Sequence, residues 1–232
     1  MRILIVAATE GEIAGVRAFS TSARAEHERA MVDAPKRLWR EGGQASGRSS
    51  NDIDILTTGV GMVATAARTA RALARTRYDV ALNFGVCGSF DRGLELGRVV
   101  HVVSDRIAEL GAEDGDVFLT IDELGLPNET VFVNAAPPPN EALRRLPQVS
   151  GFTVNTVHGN ERSIGAVMHR FNPQIESMEG AAFMHACLMS NVPFAQVRAV
   201  SNLVEKRNRE AWSLGEAIGN LGRSAIAILE QL

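Results

Sequence analysis

The chain has 232 residues, 45% of them hydrophobic, 22% charged and 5% aromatic, with a mean hydropathy of −0.01. That composition fits a soluble globular protein with a full core and excludes global disorder. Lys and Arg number 24 against 27 Asp and Glu, a formal net charge of −3, so the basic excess of a nucleic-acid grip is missing.

The first apolar run, Arg2–Ala8, reads as a strand. It is far shorter than the roughly 20 residues of a membrane span, and the acids that follow it do not suit a signal peptide. A helix is expected over Glu10–Phe19. Residues 20–50 then form a long polar excursion, read either as a lid or binding segment or as a tolerated surface insertion. Strands follow at Ile53–Thr57, Val80–Gly85, Val99–Ser104, Val131–Asn134, Phe152–Val157 and Phe194–Ser201. Their continuous apolar character suits strands buried on both faces. Helices are expected at Met62–Arg75, Glu179–Ser190 and Glu210–Leu232, with a further start at Glu141 after Pro137-Pro138-Pro139. The alternation predicts a three-layer α/β/α fold around a mixed, mostly parallel twisted sheet, with 1–232 as a single domain.

Cys87 and Cys187 lie far apart in apolar surroundings and read as buried thiols in a reducing cytoplasm. The five histidines are scattered singly, and no Cys/His pair has zinc spacing, so no metal is expected.

Several strand ends carry polar residues. Glu10 and Glu12 close the first strand, where a carboxylate serves acid–base work or simply faces a helix dipole. Gly59-Val60-Gly61-Met62-Val63-Ala64 formally fits a dinucleotide fingerprint, but the acid at Asp79 precedes a strand instead of ending one. An anion or sugar cradle and a structural turn both remain open for it. Asn83-Phe84-Gly85-Val86-Cys87-Gly88-Ser89 places glycines where a ligand can approach backbone. Glu179, in Ser177-Met178-Glu179-Gly180-Ala181-Ala182, can accept both hydrogens of a vicinal diol. Arg198-Ala199-Val200-Ser201-Asn202 ends the last strand and would face the same crevice as Glu12. The charged run 205–210 reads as a solvated loop and helix start.

In this order, the junctions resemble those of the nucleoside phosphorylase/nucleosidase superfamily almost end to end. Within it they resemble the methylthioadenosine/S-adenosylhomocysteine nucleosidases and, more closely over Asn83–Phe90 and Ser201–Trp212, the futalosine hydrolases. The resemblance implies an N-glycosidase that needs no cofactor and works as a homo-oligomer, with a dimer favoured. It implies Glu12 as base for the attacking water, Met178 and Glu179 on the ribose, and Gly88 allowing backbone approach. Ser201 would position Asn202 on the leaving base. Thr9-Glu10-Gly11 replaces the phosphate loop of the phosphorylases, which favours hydrolysis.

Two departures stand out. Ser177 occupies the place of a Glu in adenine-specific relatives, and Asn202 that of an Asp. An Asn carries one donor and one acceptor group, which matches a 6-oxopurine such as hypoxanthine. The alternatives are a nucleosidase acting on adenine nucleosides or a non-catalytic nucleoside sensor. A sensor, however, could lose Glu12 freely. The anionic tail implied for a futalosine-type substrate would meet Arg24, Lys36, Arg37, Arg40 or Arg48, or Arg207 and Arg209.

Overall fold

In a computed structural model of the chain, residues 1–21, 36–39 and 51–232 are described. The first strand, β1 (Arg2–Ala7), pairs in parallel with β3 (Asp52–Thr57) on one side and β4 (Val80–Ser89) on the other. β2 (Lys36–Trp39) adds antiparallel to β3 at the edge. A strand thus stands inside the stretch expected to be a polar excursion. Arg24, Arg40 and Arg48, the other basic candidates there, lie outside the described residues.

Beyond β4 come β11 (Phe194–Leu203), β5 (Val99–Ile107), β9 (Gln148–Thr153) and β10 (Ile175–Ser177). β8 (Val131–Val133) pairs with β5. β10 returns to pair antiparallel with the end of β4, so this half of the sheet curls shut on itself. The sheet is mixed, as expected, and its closure was not legible beforehand. Gly111–Asp114 and Val117–Thr120 form a separate hairpin, β6 and β7, around a Gly115-Asp116 loop in which Gly115 has φ +61.

Both faces of the sheet are covered. Ile3, Ile5, Leu82 and Val197 pack beneath α1 (Ala14–Thr21), α3 (Glu141–Arg144) and α6 (Leu214–Leu229). Leu4, Val6, Ala81 and Val200 pack beneath α2 (Met62–Arg75) and α5 (Gly180–Met189). This explains the unbroken apolar runs, since alternate residues enter different cores. α4 (Glu161–Phe171) escaped the sequence reading because Val167 is the only residue it fully buries. Asn160 caps it by accepting from Arg162 N at 2.9 Å. The strand expected over Phe152–Val157 instead ends at Thr153, and the residues after it form a loop. Among the described residues, no helix is long and apolar enough to cross a membrane.

α1 and α6 meet at two facing glycines, Gly15 and Gly222. A Cβ added at Gly15 would lie 3.0 Å from Gly222 Cα. Gly15→Val must push the helices apart, an overpacking cost of about 1–3 kcal/mol. The melting temperature should fall by several degrees; an unchanged value would show that the contact yields freely.

Candidate active site

The site follows from how β4 changes neighbours. β1 pairs with it as far as Asn83, and β10 joins it only from Gly88. Between those points one edge of the strand is unpaired, and its backbone donors need other partners. Glu12 supplies one: its Oε1 accepts from Val86 N at 3.1 Å. Its Oε2 accepts from Thr9 N at 2.9 Å and Thr9 Oγ1 at 3.1 Å. Glu12 lies in a short 3-10 turn, Gly11–Ile13, before α1, and the turn carries its side chain back under the end of β1. Glu12 is therefore buried. Glu10 instead reaches Thr57 Oγ1 and Arg17 at the surface.

On the other edge of β4, Arg198 sits opposite Gly85. Its guanidinium is only 1% exposed, and its Nη2 donates to Asn83 Oδ1 at 2.6 Å. Asn83 Nδ2 in turn donates to Val6 O. Nη1 lies over Gly85, where a Cβ would collide with it and stand 3.1 Å from Glu12 Oε1. Arg198 Nε has no hydrogen-bond partner. Arg198 appears in the sequence within a motif but not as a site residue. The available signal was a charge on the same face as Gln196 in an otherwise apolar strand.

Glu179 caps α5 and is buried. Its Oε1 accepts from Gly61 N at 3.0 Å, so the Gly59–Gly61 turn seats this carboxylate. Gly59 and Gly61 have φ +82 and +99, which L side chains rarely adopt. Burial pushes the Glu179 carboxyl above its usual range, and the Glu12 charge pushes the same way; Arg198 and the Gly61 N–H oppose. Met178 beside it is half-buried. Glu12 and Arg198 are thus close enough to Glu179 for their charges to act on its carboxyl.

Asn202 lies further along. A bulge at Ser201 shifts the register so that Asn202 faces Gly88. Ser201 Oγ lies 3.1 Å from Cys87 O and 2.8 Å from Asn202 Oδ1, and Asn202 Nδ2 donates to Leu203 O at 3.1 Å. A Cβ on Gly88 would stand 3.2 Å from Asn202 Nδ2 and 3.5 Å from Glu176 Cγ. Glu12, Gly88, Ser201 and Asn202 therefore lie on β4 or on an element abutting it, and Met178 and Glu179 at the start of α5, whereas Lys36 and Arg37 lie on the edge strand β2.

Two features went unnoticed in the sequence. One is Asp105, buried beneath the start of α5, where it accepts from Thr153 Oγ1 at 2.7 Å and Gln196 Nε2 at 2.9 Å. Thr153 Oγ1 also accepts from Ala181 N at 2.8 Å, so Asp105 steadies the turn that carries Glu179. Gly180 is required there, because a Cβ would run into Asp105 and Gln196. The other is His158, expected to stand alone. Its Nδ1 lies 2.7 Å from the buried Glu176 Oε2, and its backbone N donates to Oε1 at 3.0 Å. Of the remaining basic candidates, Arg207 and Arg209 stack over Trp212, at 5.2 and 5.9 Å from the ring centroid. Among the described residues, no three His, Cys, Asp or Glu side chains are grouped to hold a metal ion.

Residues 2–232 match the phosphorylase superfamily, and the chain belongs to it. Among its curated relatives is the futalosine hydrolase of Thermus thermophilus, 33% identical over 76% of this chain and 80% of that protein. The futalosine hydrolase of Streptomyces coelicolor is also 33% identical, over 72% of this chain and 74% of that one. The fold is shared with a 5′-methylthioadenosine/S-adenosylhomocysteine nucleosidase from Colwellia psychrerythraea crystallised with adenine. That structure has a TM-score of 0.72 and 24% identity, and the match covers 100% of this chain and 96% of that one.

Burial raises the Asp105 carboxyl from 3.8 to about 6. Below about pH 4 it is protonated in both folded and unfolded chains. As pH rises through about 6, the unfolded chain has already released the proton that the folded chain still holds, so stability declines across this window. Asp105→Asn should abolish that decline, with Gln196 turning its unpartnered Oε1 to the new amide. Melting temperatures of both proteins at pH 4.5 and pH 7 test this; parallel profiles would exonerate Asp105.

Proposed function

We propose that the protein hydrolyses the N-glycosidic bond of futalosine, releasing hypoxanthine and leaving dehypoxanthine futalosine, as a step of menaquinone biosynthesis. The observation that carries this reading is the convergence of Glu12, Glu179 and Arg198 on one buried crevice, with Asn202 further along the same strand. The futalosine hydrolase relatives support the choice of substrate. The same reading takes the chain as one domain that works in the cytoplasm. Its thiols support this: Cys87 and Cys187 are free and buried, and burial pushes Cys87 up to about 12. The protein acts as a homo-oligomer, a dimer favoured. Val60 and Val63, 57% and 81% exposed beside the Gly61 seat of Glu179, offer an apolar surface for a second copy.

Glu179 accepts hydrogen bonds from the ribose 2′- and 3′-hydroxyls, and Met178 packs on the sugar. The gap in backbone pairing at Gly85–Cys87 leaves room for a water beside Glu12 and Arg198 Nη1. As the bond between the anomeric carbon and the purine nitrogen lengthens, its electron pair moves onto the base and the ribosyl carbon becomes cationic. Water attacks that carbon while Glu12 takes its proton, and the Glu12 charge stabilises the cation. Asn202, held by Ser201, donates a hydrogen bond to the base as negative charge builds there, and the purine anion takes up a proton from solvent to leave as hypoxanthine while Glu12 returns its proton to solvent. Gly88 lets sugar and base approach the backbone.

Hydrolysis is preferred to phosphorolysis for an electrostatic reason. Glu12 already places a negative charge beside Arg198, and a phosphate in that position would be repelled.

Glu12→Gln can keep accepting from Val86 N, at the cost of the hydrogen bond from Thr9 N, and removes the base. Turnover of futalosine should fall about 10²–10⁴-fold with the fold intact. Turnover near the wild-type rate would reject Glu12 as the base. Asn202→Asp loses the donor to a 6-oxo group, so hypoxanthine release should fall relative to adenine release from the 6-amino counterpart. An unchanged ratio would remove Asn202 from base recognition.

A further inference from the structure

The His158–Glu176 pair stands apart from the sugar-binding carboxylates, and the mechanism leaves it without a task. Its location is informative. Gly88 pairs with Asn202 of β11 on one side and with Glu176 of β10 on the other. Asn202 Nδ2 and Glu176 Cγ flank the point where a Gly88 Cβ would be. The Asn202 amide and the Glu176 side chain are therefore neighbours over one glycine, where Val204 Cγ2 also packs, 2.9 Å from the same point.

Glu176 is buried and both its oxygens are engaged by His158, Oε1 by the backbone N–H and Oε2 by the ring. The ring is wedged by Phe90, at 6.0 Å and nearly edge-on, and by Phe152 at 6.3 Å. Its orientation is thus fixed by packing as well as by the carboxylate. Nε2 makes no hydrogen bond to the described residues, and the side chain keeps 12% of its surface exposed. A buried carboxylate fixing one imidazole nitrogen decides what the other can do. When the ring carries a single proton, on Nδ1 and directed at Glu176, Nε2 is an acceptor.

We propose that His158, set by Glu176, is a specificity-determining residue: its Nε2 accepts a hydrogen bond from the ring N–H of a 6-oxopurine across the crevice from Asn202. A 6-oxopurine carries a hydrogen on N1, whereas a 6-aminopurine has a lone pair there. An acceptor at this edge therefore welcomes the first and repels the second, and a site built for the bond rejects the analogue that lacks it. This inference rests on the nucleosidase reading above.

The test is a ratio. Release of hypoxanthine from futalosine and of adenine from its 6-amino counterpart is followed by chromatography, giving kcat/KM for each on one preparation. Any loss of folded protein cancels in the ratio. His158→Phe keeps an aromatic ring between Phe90 and Phe152 but removes the acceptor. The hypoxanthine-to-adenine ratio should fall about tenfold. His158→Gln, whose amide oxygen can reach the Nε2 position, should restore part of it.

Glu176→Gln makes the sharper demand. Its Oε1 still accepts from His158 N, so its amide N–H points at the ring and forces the proton onto Nε2. The acceptor becomes a donor, and the ratio should fall further than in His158→Phe. Equal proportional losses on both substrates in His158→Phe and Glu176→Gln would overturn the proposal and leave the pair as scaffolding. If the wild-type protein releases neither base, the nucleosidase reading itself fails, an outcome distinct from either.

Discussion

The guanidinium of Arg198 lies inside the sheet, and among the described residues no carboxylate stands within ion-pair distance of it. A buried charge in that position must be compensated by nearby dipoles and by charges slightly further off. Much of the surrounding sequence meets that demand. Asn83 gives a carbonyl oxygen to Nη2 and is itself fixed by Val6 O. Gly85 has no side chain because the guanidinium occupies that space. Glu12, Glu179 and Asp105 are held around it by backbone and hydroxyl donors, and its charge draws the last two toward ionisation. Three acids that would each be costly to bury alone become affordable around one cation, and a crevice of mixed charge is the result.

That balance also explains why superfamily membership does not settle the reaction. A phosphorylase must bind an anionic co-substrate beside the sugar. Here the position next to Arg198 is already taken by the carboxylate of Glu12, which is tied to Thr9 and Val86 and cannot swing away without leaving their donors unmet. The arrangement therefore suits a neutral nucleophile that hydrogen-bonds to both groups, and water is one.

Much of this was legible in the sequence because sheet position and chemistry coincide. Glu12, Gly88, Glu179 and Asn202 sit at the ends of apolar runs, where an α/β sheet opens to ligands. The runs themselves marked most of the strands, and Met62–Arg75 forms a helix with the expected bounds. What stayed hidden depends on pairing between distant segments. The closure of the sheet rests on the short strand Ile175–Ser177 meeting Gly88 and Ser89, and no local pattern announces it. His158 looked solitary because it lies in a loop and its partner is 18 residues away on β10. Asp105 was masked in the opposite way, by the apolar strand around it. Helix Glu161–Phe171 buries too narrow a stripe for its periodicity to stand out.

The closure has a consequence for how such a site can diverge. Glu12 and Arg198 adjoin β4 on the stretch where its edge is unpaired, and Asn202 and Glu176 adjoin it at Gly88, where β10 has rejoined it. Glu12 is tied to the backbone at Thr9 and Val86 and Arg198 to the Asn83 side chain, so a change in either disturbs the charge balance around the buried cation. Asn202 and the His158–Glu176 pair sit past Gly88, and their hydrogen bonds run to Ser201, Leu203 and each other instead of to the Arg198 cluster. Substitutions at this end leave the hydrogen bond of the buried cation to Asn83 in place. The two ends of the site can therefore change separately, since effects at sites without shared partners tend to add independently.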